Sequence, residues 1–352
     1  MNNYNASYGI YDRCYGLDYM KGYSGFHENE NAVTPAMLKK YYGYSKRCTG
    51  EGITVGIVAA YGSDTVLRDA AIFSDAFSLS APDISIVKQK GGFDGARTIE
   101  CWKIETAVDI QWVHAFAPRA RLKCFFAASD DFYELFGMIK AADKECDIVL
   151  LCFGKNEFAG ETEYIPFFEN SNALYVCACG NGRKTSFPAC APNVVAVGGT
   201  KIYFDTFGDA LGKEIPWMRS GGGISAYCPI PEYQKELCGI YECSHGMRVV
   251  PDMSFFAYGS GGVAVFDSGK GWFTAKGTSV SAACVAGICA LAAQKNKELI
   301  KKKASFFYKL AMDSDYVNYK RVFNGISDGE NRGFDLLTGL GSPDISALLS
   351  AI

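Results

Sequence analysis

Residues 276–291, KGTSVSAACVAGICAL, place Gly-Thr-Ser directly before a run of small and apolar residues. The run is apolar on every side, which is typical of a helix buried in a protein core. The N-terminus of a helix carries unpaired backbone N–H groups and a partial positive charge. The Ser279 hydroxyl would therefore lie beside oxyanion donors, as a nucleophile requires. The same residues also fit a simple N-cap formed by Thr278 or Ser279.

Short β-branched runs alternate with helical patterns along most of the chain. The predicted strands span residues 53–60, 83–89, 120–127, 147–154, 173–180 and 193–200, and the predicted helices lie near residues 65–79, 98–116, 131–145 and 161–170. This alternation predicts an α/β fold in which a parallel sheet carries helices on both faces. Because no Pro- or Ser-rich linker interrupts the pattern, we expect a single domain.

Composition excludes several classes of protein. The 352 residues are 49% hydrophobic and 21% charged, as in a soluble globular protein with a large core. The net charge of −3 and the lack of a long basic cluster argue against a nucleic acid partner. We recognise neither an apolar signal segment nor a run of about 18 apolar residues, so we expect no membrane contact and a cytoplasmic protein.

Most of the 14 cysteines lie inside apolar runs, where cysteine behaves as a small buried hydrophobe. We therefore expect reduced thiols rather than a disulfide framework. The sequence contains no CxxC pair, the spacing that would indicate a zinc site.

A nucleophilic serine needs a base, and the three histidines lie in no recognisable catalytic context. Glu105 and Asp109 are four residues apart and share one helical face, which continues through Trp102, Trp112 and Phe116. Two acids set in an apolar wall suit proton transfer, because burial raises a carboxyl pKa. A casual acidic pair with no catalytic role is the alternative.

Several motifs resemble one peptidase family. GTSVSAACVAG resembles the GTS-x-x-x-P helix of subtilisin-like serine peptidases, and its combination with ETAVD at residues 105–109 resembles the sedolisin branch of serine-carboxyl peptidases. Further similar stretches follow in the order of the family: SGGGISAYCPIPEYQ (220–234), VPDMSFFA (250–257) and GFDLLTGLGSP (333–343). The resemblance covers residues 34–352 and implies a subtilisin-like fold.

The resemblance implies an acyl-enzyme mechanism with Ser279 as nucleophile, Glu105 as general base and Asp109 as the partner that orients Glu105. Asn181 is implied as the oxyanion donor, at a position where sedolisins have Asp. An Asp donates a hydrogen bond only when it is protonated, whereas an Asn amide donates at every pH. We therefore expect activity nearer neutral pH than is typical of sedolisins.

Two segments are implied to line the substrate cleft. Cys152, Phe153 and Gly154 resemble the edge that pairs with a substrate backbone, and Ser220, Gly221 and Gly222 resemble a glycine-rich wall. A plain strand end and a flexible loop are the alternatives. Family members usually have Trp where this chain has Phe153, so the hydrogen-bond chain behind the acidic pair is expected to be shorter. The expected function is peptide-bond hydrolysis in peptides or unfolded proteins; the alternative is a catalytically silent relative that binds peptides in the same cleft.

Calcium is the only ion that the resemblance implies. Its position near the C-terminus corresponds to Ile326, Gly333 and Asp335, but Gly325 replaces a family Asp, so we favour a metal-free loop. We expect the chemistry to need no cofactor.

The N-terminal residues 1–33 form a Tyr-rich arm ahead of the peptidase domain at residues 34–352. The arm is expected to pack along the domain surface; the alternative is that it covers or regulates the cleft. The family carries a long prosegment that is not recognised here, so we expect either a processed form or, preferably, a chain that folds without one.

Overall fold

The computed structural model describes residues 18–20, 32–44, 47–89, 100–237, 240–312, 322–326 and 334–352. Its helices, numbered in chain order, are α1 (Pro35–Tyr41), α2 (Val66–Ala76), α3 (Glu100–Phe116), α4 (Phe132–Asp143), α5 (Ile165–Glu169), α6 (Glu232–Lys235), α7 (Ile240–Ser244), α8 (Thr278–Lys295), α9 (Glu298–Lys302), α10 (Ala304–Met312) and α11 (Ile345–Ala351). A 3₁₀ helix, Ala159–Tyr164, precedes α5.

The strands are β1 (Asp18–Met20), β2 (Thr54–Ala60), β3 (Asp83–Lys88), β4 (Arg121–Ala127), β5 (Ile148–Leu151), β6 (Lys155–Asn156), β7 (Leu174–Ala178), β8 (Ser186–Phe187), β9 (Val194–Lys201), β10 (Ile215–Pro216), β11 (Gly223–Pro229), β12 (Met247–Val250), β13 (Met253–Tyr258), β14 (Val263–Asp267), β15 (Gly271–Lys276), β16 (Phe323–Asn324) and β17 (Ser342–Pro343).

An eight-stranded sheet forms the centre of the molecule in the order β10-β9-β7-β5-β2-β4-β3, with β13 also paired to β9. All of these pairs are parallel except that of β10 with β9. The predicted strands and helices are found with ends shifted by a few residues. The expected α/β fold with a mostly parallel sheet is therefore confirmed.

Strand register shows that α4 and α8 lie on opposite faces of this sheet. A Cβ added to Gly56 would meet Ala142 of α4, and Gly56 is aligned through β5 and β7 with Val194 of β9. Gly199 lies five residues after Val194 and so points to the other face. A Cβ added there would meet Thr278 of α8. Helices thus cover both faces, as expected from the sequence.

The described part of the Tyr-rich arm is bound to the domain as a strand. β1 pairs antiparallel with β15, which leads directly into α8, and β14 lies on the other side of β15. The rest of residues 1–31 lies outside the described residues. The domain boundary at residue 34 stays a prediction.

A buried ion pair holds the turn between β12 and β13. Arg248 Nη2 lies 2.6 Å from Asp252 Oδ2, and both side chains are inaccessible to solvent. Asp252 also accepts hydrogen bonds from the backbone N–H of Ala196 at 2.7 Å and from the Tyr308 hydroxyl at 2.7 Å. This network fixes the VPD motif to β9 and α10. Loss of either partner of such a buried ion pair is strongly destabilising, because it leaves an uncompensated buried charge.

The described cysteines mostly match the expectation of reduced thiols. Free thiols include Cys124, Cys177, Cys179, Cys284 and Cys289, which are all buried. Cys101 differs, because it is disulfide-bonded.

Helices α3 and α8 pack closely against each other at Gly287. A Cβ added to Gly287 would lie 2.7 Å from the Phe116 Cβ and 2.9 Å from the Val113 carbonyl oxygen. Among the described residues, α8 alone is long and apolar enough to cross a membrane, but 89% of this helix is buried inside the fold. Helix α8 is therefore the buried core helix that its sequence predicts.

We expect Gly287→Ala to lower the free energy of unfolding by up to about 2 kcal/mol. Overpacking costs about 1–3 kcal/mol, and the better helix propensity of Ala returns only about 1 kcal/mol. Gly137→Ala in α4 is the matched control, because nothing lies within 4 Å of the added Cβ. Guanidinium denaturation should show a loss for the first variant and a gain for the second; equal gains would contradict the close contact.

Candidate active site

The acidic pair on α3 meets the start of α8 in the interior of the molecule. The exposed fractions are 2% for Glu105, 1% for Asp109 and 0% for Ser279. The Glu105 carboxyl group interacts with the Ser279 hydroxyl, although the geometry falls short of a regular hydrogen bond. Because the hydroxyl is closed to solvent, a substrate can reach it only when neighbouring residues move.

The two carboxyl groups strongly resist ionisation. Burial raises the pKa of Glu105 well above its usual value, and the nearby Asp109 charge raises it further. Burial raises the pKa of Asp109 to about 7, while contacts with Cys152 and Glu105 act in the opposite direction. Near neutral pH the pair therefore keeps a proton, and Asp109 is the member that ionises more readily.

The Cys152 thiol is the third polar group of this interior site. Ligand atoms of Glu105, Asp109 and Cys152 all lie within 4.8 Å of one another, and Cys152 Sγ lies 3.8 Å from the Ser279 carbonyl oxygen. Burial raises the pKa of the thiol well above its usual value, so it remains neutral. The sequence pointed to the Cys152 backbone as a substrate edge, but it did not place the side chain against the acidic pair.

Asn181 lies against the N-terminus of α8, and its predicted role as an oxyanion donor stays a prediction. Its Oδ1 accepts hydrogen bonds from the Thr278 backbone N–H at 3.1 Å and from the Thr278 hydroxyl at 3.2 Å. Because the oxygen is held in this way, the amide Nδ2 points to the other side. The Ser279 backbone N–H lies in the first turn of α8, where helical amides lack intrahelical partners. Asn181 and the Ser279 backbone N–H thus both lie at the first turn of α8. The role of Thr278 as an anchor was not predicted.

The glycine-rich wall supports the Asn181 loop. Gly221 N–H donates to the Gly180 carbonyl at 2.6 Å, and Gly222 N–H donates to the Lys184 carbonyl at 3.2 Å. A Cβ added to Gly221 would lie 1.9 Å from the Cys179 oxygen, so only glycine fits. These two amides are engaged by the loop, and Gly222 also lines a pocket next to it.

That pocket has a volume of about 370 Å³. Arg183, Lys184 and Glu157 all line it. The Glu157 carboxylate accepts hydrogen bonds from the hydroxyls of Thr185 and Ser225. The pocket lining thus contains two positively charged side chains, Arg183 and Lys184, and one carboxylate that already accepts hydrogen bonds.

Phe153 and Gly154 continue the chain beyond β5. Neither residue pairs with a further strand in the described part of the chain. The centroid of the Phe153 ring lies 6.0 Å from that of the Trp102 ring, so the aromatic residues of α3 continue to the end of β5. A Cβ added to Gly154 would lie 2.8 Å from the Phe187 oxygen, which keeps the backbone here close to β8.

The described residues of the expected calcium site do not fit a calcium ion. Asp335 Oδ1 accepts hydrogen bonds from the backbone N–H groups of Leu337 at 2.8 Å and Thr338 at 2.9 Å, and Oδ2 accepts one from the Thr338 hydroxyl. Both carboxylate oxygens are therefore used within their own turn. Ile326 is buried, and Gly333 lies outside the described residues. The metal-free loop favoured by the sequence stays a prediction.

We expect the double variant Glu105→Gln/Asp109→Asn to be more stable than the wild type, and by more at pH 8 than at pH 5. Both carboxyls have raised pKa values in the fold, so stability is lost as pH rises above their unfolded values near 4 and through the folded ones. The difference between the two pH values should reach at least about 1 kcal/mol. Urea unfolding at both pH values measures it. The exposed Glu163→Gln serves as control; a stability difference that does not depend on pH would contradict the raised pKa values.

Comparisons with known proteins agree with this geometry. The model of the subtilase family matches residues 127–308, just over half of the chain. Sedolisin from Pseudomonas sp. (strain 101) is 29% identical over 188 residues, 49% of this chain and 31% of that protein. Kumamolisin from Bacillus sp. (strain MN-32) is 26% identical over 369 residues, 91% of this chain and 64% of that protein. Tripeptidyl-peptidase 1 from Dictyostelium discoideum is 34% identical over 296 residues, 70% of this chain and 46% of that protein.

The chain spans between about a third and two thirds of the length of these relatives. Among solved structures, Pseudomonas sedolisin, a serine-carboxyl proteinase complexed with two molecules of pseudo-iodotyrostatin, superposes with a TM-score of 0.76 at 22% identity. That match covers 91% of this chain and 97% of the other and establishes the common fold. The chain belongs to the subtilase family, in its sedolisin branch.

Proposed function

We propose that this protein is a serine-carboxyl endopeptidase that cleaves peptide bonds through an acyl-enzyme on Ser279. The observation that carries the proposal is the buried acidic pair facing a serine in the first turn of α8. A buried like-charged pair destabilises the fold near neutral pH, so its presence beside a hydroxyl is better explained by proton transfer than by stability. Peptidase relatives support the reaction type.

In the proposed mechanism Ser279 attacks the substrate carbonyl while its proton passes to Glu105. The proton that Glu105 shares with Asp109 moves onto Asp109, so the pair changes from one proton to two. Glu105 then protonates the leaving amine as the tetrahedral intermediate collapses to the acyl-enzyme. Water repeats the sequence as the second nucleophile and releases the acid product.

The Asn181 Nδ2 and the Ser279 backbone N–H would stabilise the oxyanion. The hydrogen bonds from Thr278 to Asn181 Oδ1 fix the amide before the substrate arrives, which avoids a reorganisation cost during the reaction. The chain at Phe153 and Gly154 would take the substrate as an added strand, since it runs on past the end of the central strand β5 with no strand partner among the described residues.

Neutral activity is part of the same proposal. The acidic pair can accept the serine proton only when it is not already doubly protonated. Because the pKa of Asp109 is raised to about 7, the doubly protonated pair accumulates as pH falls below that value. Asn181 donates at every pH, so nothing in the oxyanion site favours acid.

A catalytically silent relative that binds peptides in the same cleft is the competing function. The absence of a regular hydrogen bond between Glu105 and Ser279 is the observation that favours it. The two functions differ in one property, because a binder has no activated serine.

We expect wild-type protein to form a covalent adduct with a fluorophosphonate probe and to cleave an unstructured protein. In the adduct Ser279 Oγ bonds to phosphorus and fluoride leaves. Ser279→Ala should abolish both reactions, and Glu105→Gln should lower the cleavage rate by at least about 10³-fold, as in other catalytic units of this kind. Intact mass and gel assays measure the two reactions. Ser281→Ala, two residues further along α8, is the control and should still be labelled.

If folded wild-type protein is neither labelled nor active at any pH from 4 to 8, the silent relative is the correct function. Retention of the melting temperature in each variant shows that a loss of reaction is not a loss of fold.

We expect the rate to rise between pH 5 and pH 7, as the acidic pair loses its second proton. Asn181→Asp should lower the neutral rate by about 10²–10³-fold, because an ionised Asp cannot donate to an oxyanion. The same variant should recover part of its rate at acid pH, where Asp is protonated. Profiles of kcat/KM against pH for one peptide measure both effects. A wild-type rate that falls steadily from pH 4 to pH 7 would rule out the neutral assignment.

A further inference from the structure

Two thiols and two carboxylates converge behind the wall of the pocket. One ligand atom from each of Glu157, Glu161, Cys190 and Cys228 lies within 4.8 Å of all the others. The side chains come from three separate segments: the chain around β6 and the 3₁₀ helix, the loop after β8, and β11. This cluster has no part in the proposed peptidase mechanism.

The measured separations match the edges of a metal-centred tetrahedron. Cys190 Sγ and Cys228 Sγ are 3.8 Å apart, and they lie 3.4 Å and 3.5 Å from Glu161 Oε1. Tetrahedral zinc with Zn–S bonds of about 2.3 Å and Zn–O bonds of about 2.1 Å sets two sulfurs about 3.8 Å apart and a sulfur and an oxygen about 3.6 Å apart. Both thiols are free, so the sulfurs are not joined to each other.

The electrostatics of the cluster also call for a cation. Glu161, Cys190 and Cys228 each have an exposed fraction of 0%. Glu161 Oε2 accepts one backbone hydrogen bond, from Phe158 at 2.9 Å, but Oε1 is met only by the two thiols, which are weak donors. No Lys or Arg in the described part of the chain forms an ion pair with Glu161, and Lys155 attracts it only at longer range. A buried carboxylate so poorly compensated is costly.

We propose that Cys190, Cys228, Glu161 and Glu157 bind one zinc ion in a closed tetrahedral site. Two thiolates with carboxylate oxygens in a tetrahedral arrangement are a donor set that suits zinc rather than calcium or magnesium. The thiols release their two protons to solvent on binding. The hydroxyls of Thr185 and Ser225 orient Glu157, and the Phe158 N–H orients Glu161, as outer partners of metal ligands do.

The site would hold the pocket in shape. Glu157 lines the pocket directly, and Gly223 and Ile224 at the start of the strand that carries Cys228 line it as well. Zinc would join this strand to the chain around β6, which the strand already contacts through the hydrogen bond from Ser225 to Glu157. The inference does not depend on the peptidase proposal, because it concerns metal content and stability.

Metal analysis of the full chain, purified without a polyhistidine tag from zinc-supplemented medium, tests the proposal. We expect inductively coupled plasma mass spectrometry to find about one zinc ion per chain, in line with a four-ligand site. Replacement by Co²⁺ should give the thiolate-to-cobalt charge-transfer absorption and the visible bands of a tetrahedral site. Removal of zinc with a strong chelator should lower the melting temperature, and one equivalent of zinc should restore it.

The double variant Cys190→Ser/Cys228→Ser should lose both the zinc and the cobalt spectrum. Cys284→Ala/Cys289→Ala removes two buried thiols of α8 outside the cluster and should keep them. The proposal is overturned if folded wild-type protein holds no zinc and gives no cobalt spectrum, a result that needs no variant. It is also overturned if the folded serine variant keeps its zinc, or if alkylation after denaturation shows that Cys190 and Cys228 are joined in a disulfide.

Discussion

The close approach of α3 and α8 is the constraint on which the rest of this structure depends. At Gly287 the two helices pack with no room for a Cβ, and this distance brings the acidic pair of one helix against the first turn of the other. The sheet also fixes the position of α8. Gly199 in β9 has no Cβ, so Thr278 packs directly on that strand. The serine and the acidic pair therefore occupy fixed places in the core, and Asn181 is held against α8 from an adjoining loop.

This location has an energetic cost that the fold must absorb. Glu105 and Asp109 are buried with no regular hydrogen-bond partner in the described structure, although burial penalises their ionised forms. A low-dielectric site also strengthens every charge interaction within it, so the same burial that destabilises the fold makes proton transfer between neighbouring groups effective. Burial of the large apolar core around the pair offsets the free-energy cost of burying the two carboxyl groups.

The sequence predicted those features that repeat along the chain or stay close within it. Buried parallel strands are short apolar runs, and Glu105 and Asp109 share a face because they are four residues apart in one helix.

Features built from distant residues were missed. The thiol of Cys152 meets the acidic pair only because β5 ends beside α3, and Thr278 holds Asn181 from almost a hundred residues away. Glu157, Glu161, Cys190 and Cys228 have no metal-site spacing, so the expectation of no zinc followed from spacing alone. The glycine wall was identified, but its amides proved to be bonded to the Asn181 loop.

The short strand β1 has a consequence for how the chain treats extended peptides. Because β1 pairs with residues 274–276 and β14 pairs with residues 271–275, the end of β15 that leads into Ser279 is covered on both edges. A chain cut after Met20 would expose unpaired backbone groups of β15 a few residues before Ser279. An extended peptide could then pair with the edge that β1 occupies in the intact chain.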